Sequence, residues 1–345
     1  MAIVLHFKSV YPKHVLGRFR LSVSDDPKVF ERDEKRVAAL RITDPWARLA
    51  ATYLIMNDQP SLDKLIEAVP SVETSIVELY VTEKDWERAI AAYSKLIGDA
   101  TTDASLFVKR GEAYFASKQM DLARADWRRA VALTPELAQS QFDRLRLASR
   151  SSEAAEFGLL LIEQKPEVTL LWVQVPPVAV LAEHDTIYPA VCRAILNLFR
   201  KAPTQENFDR AIKACLLKPG AIDMAELPLN LLSMPPDEAK VPDWLRPYLW
   251  STRALLAYRK GDAELAVKNV NQSEGFAPSD PCRALSLAVL AMAQHDLKHP
   301  EKARAAINEV RQLLSKLQVN DRHHHDTLIA EILLREAETL INSKK

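Results

Sequence analysis

Apolar positions recur every three to four residues over most of this chain, with charged residues between them. That spacing predicts amphipathic helices. The clearest case closes the sequence: Ile329, Leu333, Ala337 and Leu340 form one stripe, while Glu331 and Arg335 fall on the outer side. This predicts a C-terminal capping helix, with Asp321 or Asp326 as its N-cap. In the middle, "AVCRAILNLFRKA", "NFDRAIKACLL" and "DMAELPLNLLSM" also fit helices, separated by breaks at "KPG" and "MPPDEAKVP". Pro176 and Pro177 interrupt an apolar stretch, which predicts a kink or a helix start there. The pattern changes only near the N-terminus. There Leu16, Phe19, Leu21 and Val23 are interspersed with Arg18, Arg20 and Ser22, which predicts a strand followed by a turn.

A second regularity lies above the helical one. Tyr80 and Tyr114, Ala89 and Ala123, and Tyr93 and Trp127 are each 34 residues apart. Together with Phe107, Gly111, Ala130 and Pro135, these positions resemble the tetratricopeptide repeat, a helix–turn–helix unit. The resemblance implies that Gly111 and Ala123 are small so that two helices can approach closely. It implies that Tyr114 and Trp127 fill the space between helices, and that Pro135 ends the second helix. Arg110 departs from the pattern, standing where the repeat usually has Leu. Weaker copies flank this one. Trp46, Leu49, Ala50 and Tyr53 lie upstream, with Leu62 in a place where Ala is usual. Downstream come Trp250, Ala254, Gly261 and Ala266, then Leu287, Leu290, Ala291, Ala303, Ile307 and Val310. Pro300 fits the start of a second helix, where a missing N–H costs little.

The expected fold is therefore all-α: a right-handed superhelical solenoid of helix pairs with an irregular middle, a capping helix and a short N-terminal strand. The sections are 1–28, a strand-like arm or the remnant of an upstream β module; 29–152, repeats; 153–241, irregular helices; and 242–345, repeats and cap. The stretches "YPAVCRAILNLF", "ACLLKPGA" and "LIAEILLREAETL" resemble the C-terminal helical region of large bacterial multidomain signalling proteins that carry a Ser/Thr kinase domain. No kinase signature occurs in this sequence.

Composition narrows the function. Lys+Arg and Asp+Glu are equal at 46 each, which argues against a partner held by phosphate neutralisation or a polybasic membrane anchor. With only 7 Gly and no glycine-rich fingerprint, phosphate-cradling loops are not expected. The three cysteines, Cys192, Cys215 and Cys282, are odd in number and lack a C-x-x-C motif; buried thiols in a cytoplasmic protein are the expectation. The longest apolar stretch, Leu170 to Ala182, is interrupted by Gln174 and two prolines and is too short for a membrane span.

Candidate chemistry is sparse. His323, His324 and His325 are consecutive, and successive helical residues point about 100° apart, so they are not expected to share an ion. His295 and His299 sit at i,i+4 but straddle an expected turn. Arg124, Arg128 and Arg129 are expected to pair with Asp121 and Asp126 along a solvated face. No catalytic residue, metal or cofactor is assigned. By the resemblance, the concave face is lined by Thr74, Glu78, Val108, Glu112, Phe115, Tyr248, Ser251, Leu255, Tyr258 and Arg259. The expected function is a non-catalytic scaffold binding a peptide or protein segment there. A regulatory docking module of a kinase signalling protein is the first alternative. An α-helical enzyme with its site around His184, Asp185 and Tyr188 is the second.

Overall fold

The computed structural model describes residues 35–98, 102–182, 185–228, 241–316 and 324–342. These residues are helical and contain no strand. The strand expected at Leu16 to Val23, and the arm at 1–28 that holds it, lie outside the described residues. The chain divides into two compact units, Met1–Gly98 and Asp99–Lys345, a division that falls inside the section 29–152.

The first unit holds α1 (Pro45–Met56), α2 (Gln59–Ala68), α3 (Val72–Thr82) and α4 (Trp86–Ile97). The second holds α5 (Ala104–Ala116), α6 (Met120–Leu133), α7 (Leu137–Leu147), α8 (Ser151–Gln164), α9 (Leu171–Val180), α10 (Ile187–Phe199), α11 (Gln205–Cys215), a 3₁₀ turn (Met224–Glu226), α12 (Arg246–Arg259), α13 (Ala263–Glu274), α14 (Asp280–Asp296), α15 (Pro300–Lys316) and α16 (His325–Asn342). Starts are set by short polar side chains that bond the otherwise unpaired first-turn N–H groups. Asp44 accepts from Ala47, Asp58 from Ser61, Asp85 from Arg88, Asp103 from Ser105, Thr204 from Asn207 and Asp262 from Leu265.

Successive helices pair as hairpins, and one turn serves five of them among the described residues. It has three residues: Glu83–Lys84–Asp85, Ser117–Lys118–Gln119, Ala148–Ser149–Arg150, Lys260–Gly261–Asp262 and Leu297–Lys298–His299. In each the middle residue is left-handed, with φ of 58°, 65°, 58°, 81° and 62°. In each the third residue's N–H reaches back to the carbonyl five residues earlier: Asp85 to Tyr80, Gln119 to Tyr114, Arg150 to Leu145, Asp262 to Ala257 and His299 to Gln294, all at 2.8–2.9 Å. This is the six-to-one bond of a Schellman stop, which satisfies carbonyls the helix end leaves open. Lys84 and Lys118 stand 34 residues apart, the same interval as Tyr80 and Tyr114.

Within the α5–α6 hairpin the small-residue expectation has a steric cause. A Cβ on Gly111 would lie 2.5 Å from Nε1 of Trp127, a side chain that is fully buried. That indole donates to the Val108 carbonyl at 3.3 Å and packs against Phe115 and Phe157, with ring centroids 5.7 and 5.2 Å away. The departure at Arg110 is also explained. Its guanidinium forms two bonds of 2.7 Å to Asp126, across to the paired helix. Arg124 likewise reaches Glu156 on α8. The expectation of a solvated ion-pair face on α6 therefore needs correction. Asp126 is buried, and Arg124 braces a neighbouring helix, with Asp121 as a more distant partner at 3.7 Å.

The middle is irregular but packed. α8 lies against α9 and α10, α9 against α11, and α11 against α12. α9 runs through both prolines and begins five residues before them, so they are not its start. α16 carries the expected stripe, with Ile329, Leu333 and Ala337 fully buried, but Ala330, Ile332 and Leu334 are buried as well. It packs on α14 and α15 and also on α9, so it joins the last hairpins to the middle. Of the two expected N-caps, Asp326 lies inside the first turn instead, and Asp321 is outside the described residues. No described helix is long and apolar enough to cross a membrane.

Two predictions test this frame. Gly111→Ala should destabilise the second unit by about 1–2 kcal/mol in urea unfolding, because overpacking against Trp127 outweighs the gain in helix propensity. At the turns the sign should reverse with the residue present. Gly261→Ala should cost about 1 kcal/mol, while Lys118→Gly should add up to about 1 kcal/mol, read from the same denaturation midpoints.

Candidate functional site

The first-helix positions expected to line a docking face divide by burial. In the first unit, Thr74 and Glu78 on α3 are exposed. In the second unit, Phe115 is half-buried against Trp127, and Glu112 accepts from Arg144 at 3.0 Å and Arg150 at 3.5 Å. Tyr248 and Tyr258 are half-buried. Three positions are interior and are corrected here. Val108 is covered by the α5–α6 pairing, Leu255 is fully buried, and the Ser251 hydroxyl donates to the Pro247 carbonyl at 2.8 Å while meeting the Ser273 and Ser286 hydroxyls. Arg259 is also inside. Its side chain is 7% exposed, pairs with Glu336 on α16 and donates to the Leu216 carbonyl at 2.9 Å. A partner cannot reach these four without opening the helix packing.

Beneath this face lies a polar cluster drawn from α11, α12 and α16. Asp209 and Lys213 are one helical turn apart on α11, and their side chains are 5% and 2% exposed with Nζ and Oδ2 3.0 Å apart. Thr252 donates to the other Asp209 oxygen at 2.6 Å. The Lys213 ammonium sits 4.6 Å from the centre of the Tyr248 ring. The Tyr248 hydroxyl donates to Asp326 Oδ2 at 2.9 Å and lies 3.2 Å from the Ser279 hydroxyl. Burial lowers the Lys213 pKa, but Asp209 and Asp326 outweigh it and hold it above the usual lysine value. Burial, with the Asp326 charge, pushes the Tyr248 phenol far up. His325, on the outer side of the cluster, is pushed down to about 4 chiefly by burial.

Sequence reasoning passed over this cluster, although one signal was present. Asp209 and Lys213 stand at i,i+4 among Phe208, Ala211 and Ile212, on the face of a helix otherwise made of core residues. His324 precedes the first turn of α16, so the 100° rule does not separate it from the residues that follow. One ligand atom each from His324, His325 and Asp326 lies within 4.8 Å of the others. His323 is outside the described residues, and His295 and His299 flank a turn, with His299 Nδ1 2.8 Å from the Gln294 side-chain oxygen.

Of the residues named for an enzymatic alternative, Asp185 and Tyr188 are among the described residues. Asp185 is exposed and bonded to Lys218 at 2.6 Å. The Tyr188 hydroxyl is buried, donates to the Ala214 carbonyl at 2.7 Å and accepts from Leu217 and Lys218 N–H groups. It stitches the α10–α11 packing, and His184 lies outside the described residues. Beside it Cys192 and Cys215 are buried free thiols, with Cys215 Sγ 3.9 Å from the Cys192 carbonyl. No protein-family model matches the chain, and no curated protein matches it.

The buried pair yields its own test. Lys213→Met should destabilise the second unit by about 3–5 kcal/mol, because it leaves buried carboxylates uncompensated. Adding Asp209→Asn should recover a large part of that loss. Urea unfolding of the two single variants and the double variant gives the coupling, and strict additivity would show that the pair is not a unit.

Proposed function

We propose that this chain is a tetratricopeptide-like helical-repeat scaffold, a right-handed superhelix of helix pairs. It docks a peptide or protein segment on first-helix positions that are exposed or half-buried and carries out no catalysis of its own. The observation that carries the reading is the recurrence of one three-residue left-handed turn in five helix hairpins, two of them 34 residues apart. Stacked hairpins offer an extended surface, which suits recognition of a chain segment better than chemistry on a small molecule. The docking positions retained are Thr74 and Glu78 in the first unit and Glu112, Phe115, Tyr248 and Tyr258 in the second. Aromatic side chains with one half buried and one half open are good anchors for such a partner. Three buried free cysteines accord with a cytoplasmic setting.

The test pairs capture with position. Wild-type chain and a Phe115→Ala/Tyr258→Ala variant, matched for helicity by circular dichroism, are used to capture partners from native lysate. A photo-crosslinker at Tyr258 is compared with one at exposed Arg129 on α6. The expected outcome is a discrete partner crosslinked from Tyr258 and lost, at least tenfold, in the double variant. Equal capture by both proteins would remove the docking assignment.

A further inference from the structure

We infer that His324, His325 and Asp326 form a binding site for one divalent transition cation, with zinc the best match to the donor set. The three side chains meet because His324 lies outside α16 while His325 and Asp326 open it. His325 Nε2 is 3.6 Å from Asp326 Oδ1, and His324 Nδ1 is 3.9 Å from Asp326 Oδ2. These separations are too long for hydrogen bonds. They run to different oxygens of the carboxylate, and one ligand atom from each residue lies within 4.8 Å of the others, a gap that side-chain rotation has to close to the roughly 3.3 Å edge of a tetrahedral zinc site. The two imidazole rings are tilted by 35° with centroids 4.1 Å apart.

The surroundings favour a cation over a simple surface cluster. The Asp326 side chain is only 6% exposed, so its charge is largely removed from water. Its orientation is fixed from behind by the Tyr248 hydroxyl at 2.9 Å, the kind of outer hydrogen bond that aims a metal-binding carboxylate. Within the cluster the carboxylates of Asp209 and Asp326 face the single ammonium of Lys213, which Asp209 already holds at 3.0 Å. The nearby Arg210 is tied to Glu206 at 2.5 Å. One negative charge is therefore left over, beside two ring nitrogens. The positive end of α16 opposes a cation there, but by only about half a unit charge.

Two nitrogen donors and one oxygen select zinc-like ions over magnesium or calcium, which prefer all-oxygen sites. The half-exposed His324 leaves a fourth position open to water. A cation held there ties the start of α16 to α12 through Asp326 and Tyr248. The site is thus placed to strengthen the docking of the C-terminal helix.

The full chain, stripped with chelator, is titrated with ZnCl2 against a chromogenic competitor, and CoCl2 is added in parallel. The expected result is one equivalent of zinc, a visible cobalt spectrum of tetrahedral intensity, no competition by MgCl2, and a thermal midpoint raised by zinc. His324→Ala and His325→Ala should each weaken zinc binding about tenfold or more and abolish the midpoint shift, while His299→Ala changes neither. The half-exposed His324 keeps the test clean if His325→Ala unfolds. Absence of stoichiometric zinc binding overturns the assignment. Wild-type affinity in His324→Ala overturns it equally, as does loss of binding in His323→Ala with His324→Ala unaffected.

Discussion

A chain that reverses between two packed helices in three residues has few ways to do so, and this protein uses one of them repeatedly. The left-handed middle residue turns the backbone, and the six-to-one hydrogen bond closes the helix behind it. With the turn fixed, the angle and offset of the next helix are nearly fixed too, so side chains such as Gly111 and Trp127 must meet. Four of the five turns place lysine or serine at the left-handed position, where glycine would be least strained. The packing of the paired helices over-determines the turn and holds it despite that cost.

Apolar packing between helices is permissive about register, because one leucine face slides over another at small cost. The polar braces are not permissive. Arg110–Asp126 and Arg124–Glu156 are two-pronged pairs that span from one helix to another, and each has a buried carboxylate. Such pairs add little net stability over an apolar replacement, since desolvation offsets the attraction. Here, their geometry is satisfied at one register only. Asp209, held by Lys213 on its own helix, fills the same role deeper in the second unit by accepting from Thr252 where α11 meets α12.

The C-terminal helix shows how these braces change an element's role. Asp326 bonds to Tyr248, Glu336 pairs with Arg259, and Glu338 pairs with Arg311, so α16 is fastened to α12 and α15 along its length. Its apolar stripe alone would make it a cover for the last hairpin. The polar contacts, and its packing on α9, make it part of the interior.

The sequence by itself determined the helical class and the need for a small residue at Gly111. Both follow from local spacing or from a repeat interval visible along the chain. The turn Leu297–His299 and the helix starting at Pro300 were legible for the same reason. By contrast, the helix expected over "DMAELPLNLLSM" is only a 3₁₀ turn at Met224–Glu226 in its described part. Only the tertiary structure decided which first-helix residues face outward. Val108, Ser251, Leu255 and Arg259 share helical positions with exposed residues in other hairpins, and they are buried because of what happens to pack over them. The cluster of Lys213, Tyr248, Asp326 and the two histidines was likewise out of reach. Its members come from α11, α12 and the start of α16, which are far apart in the chain, and a local pattern carries no record of which distant helices will share one buried charge balance.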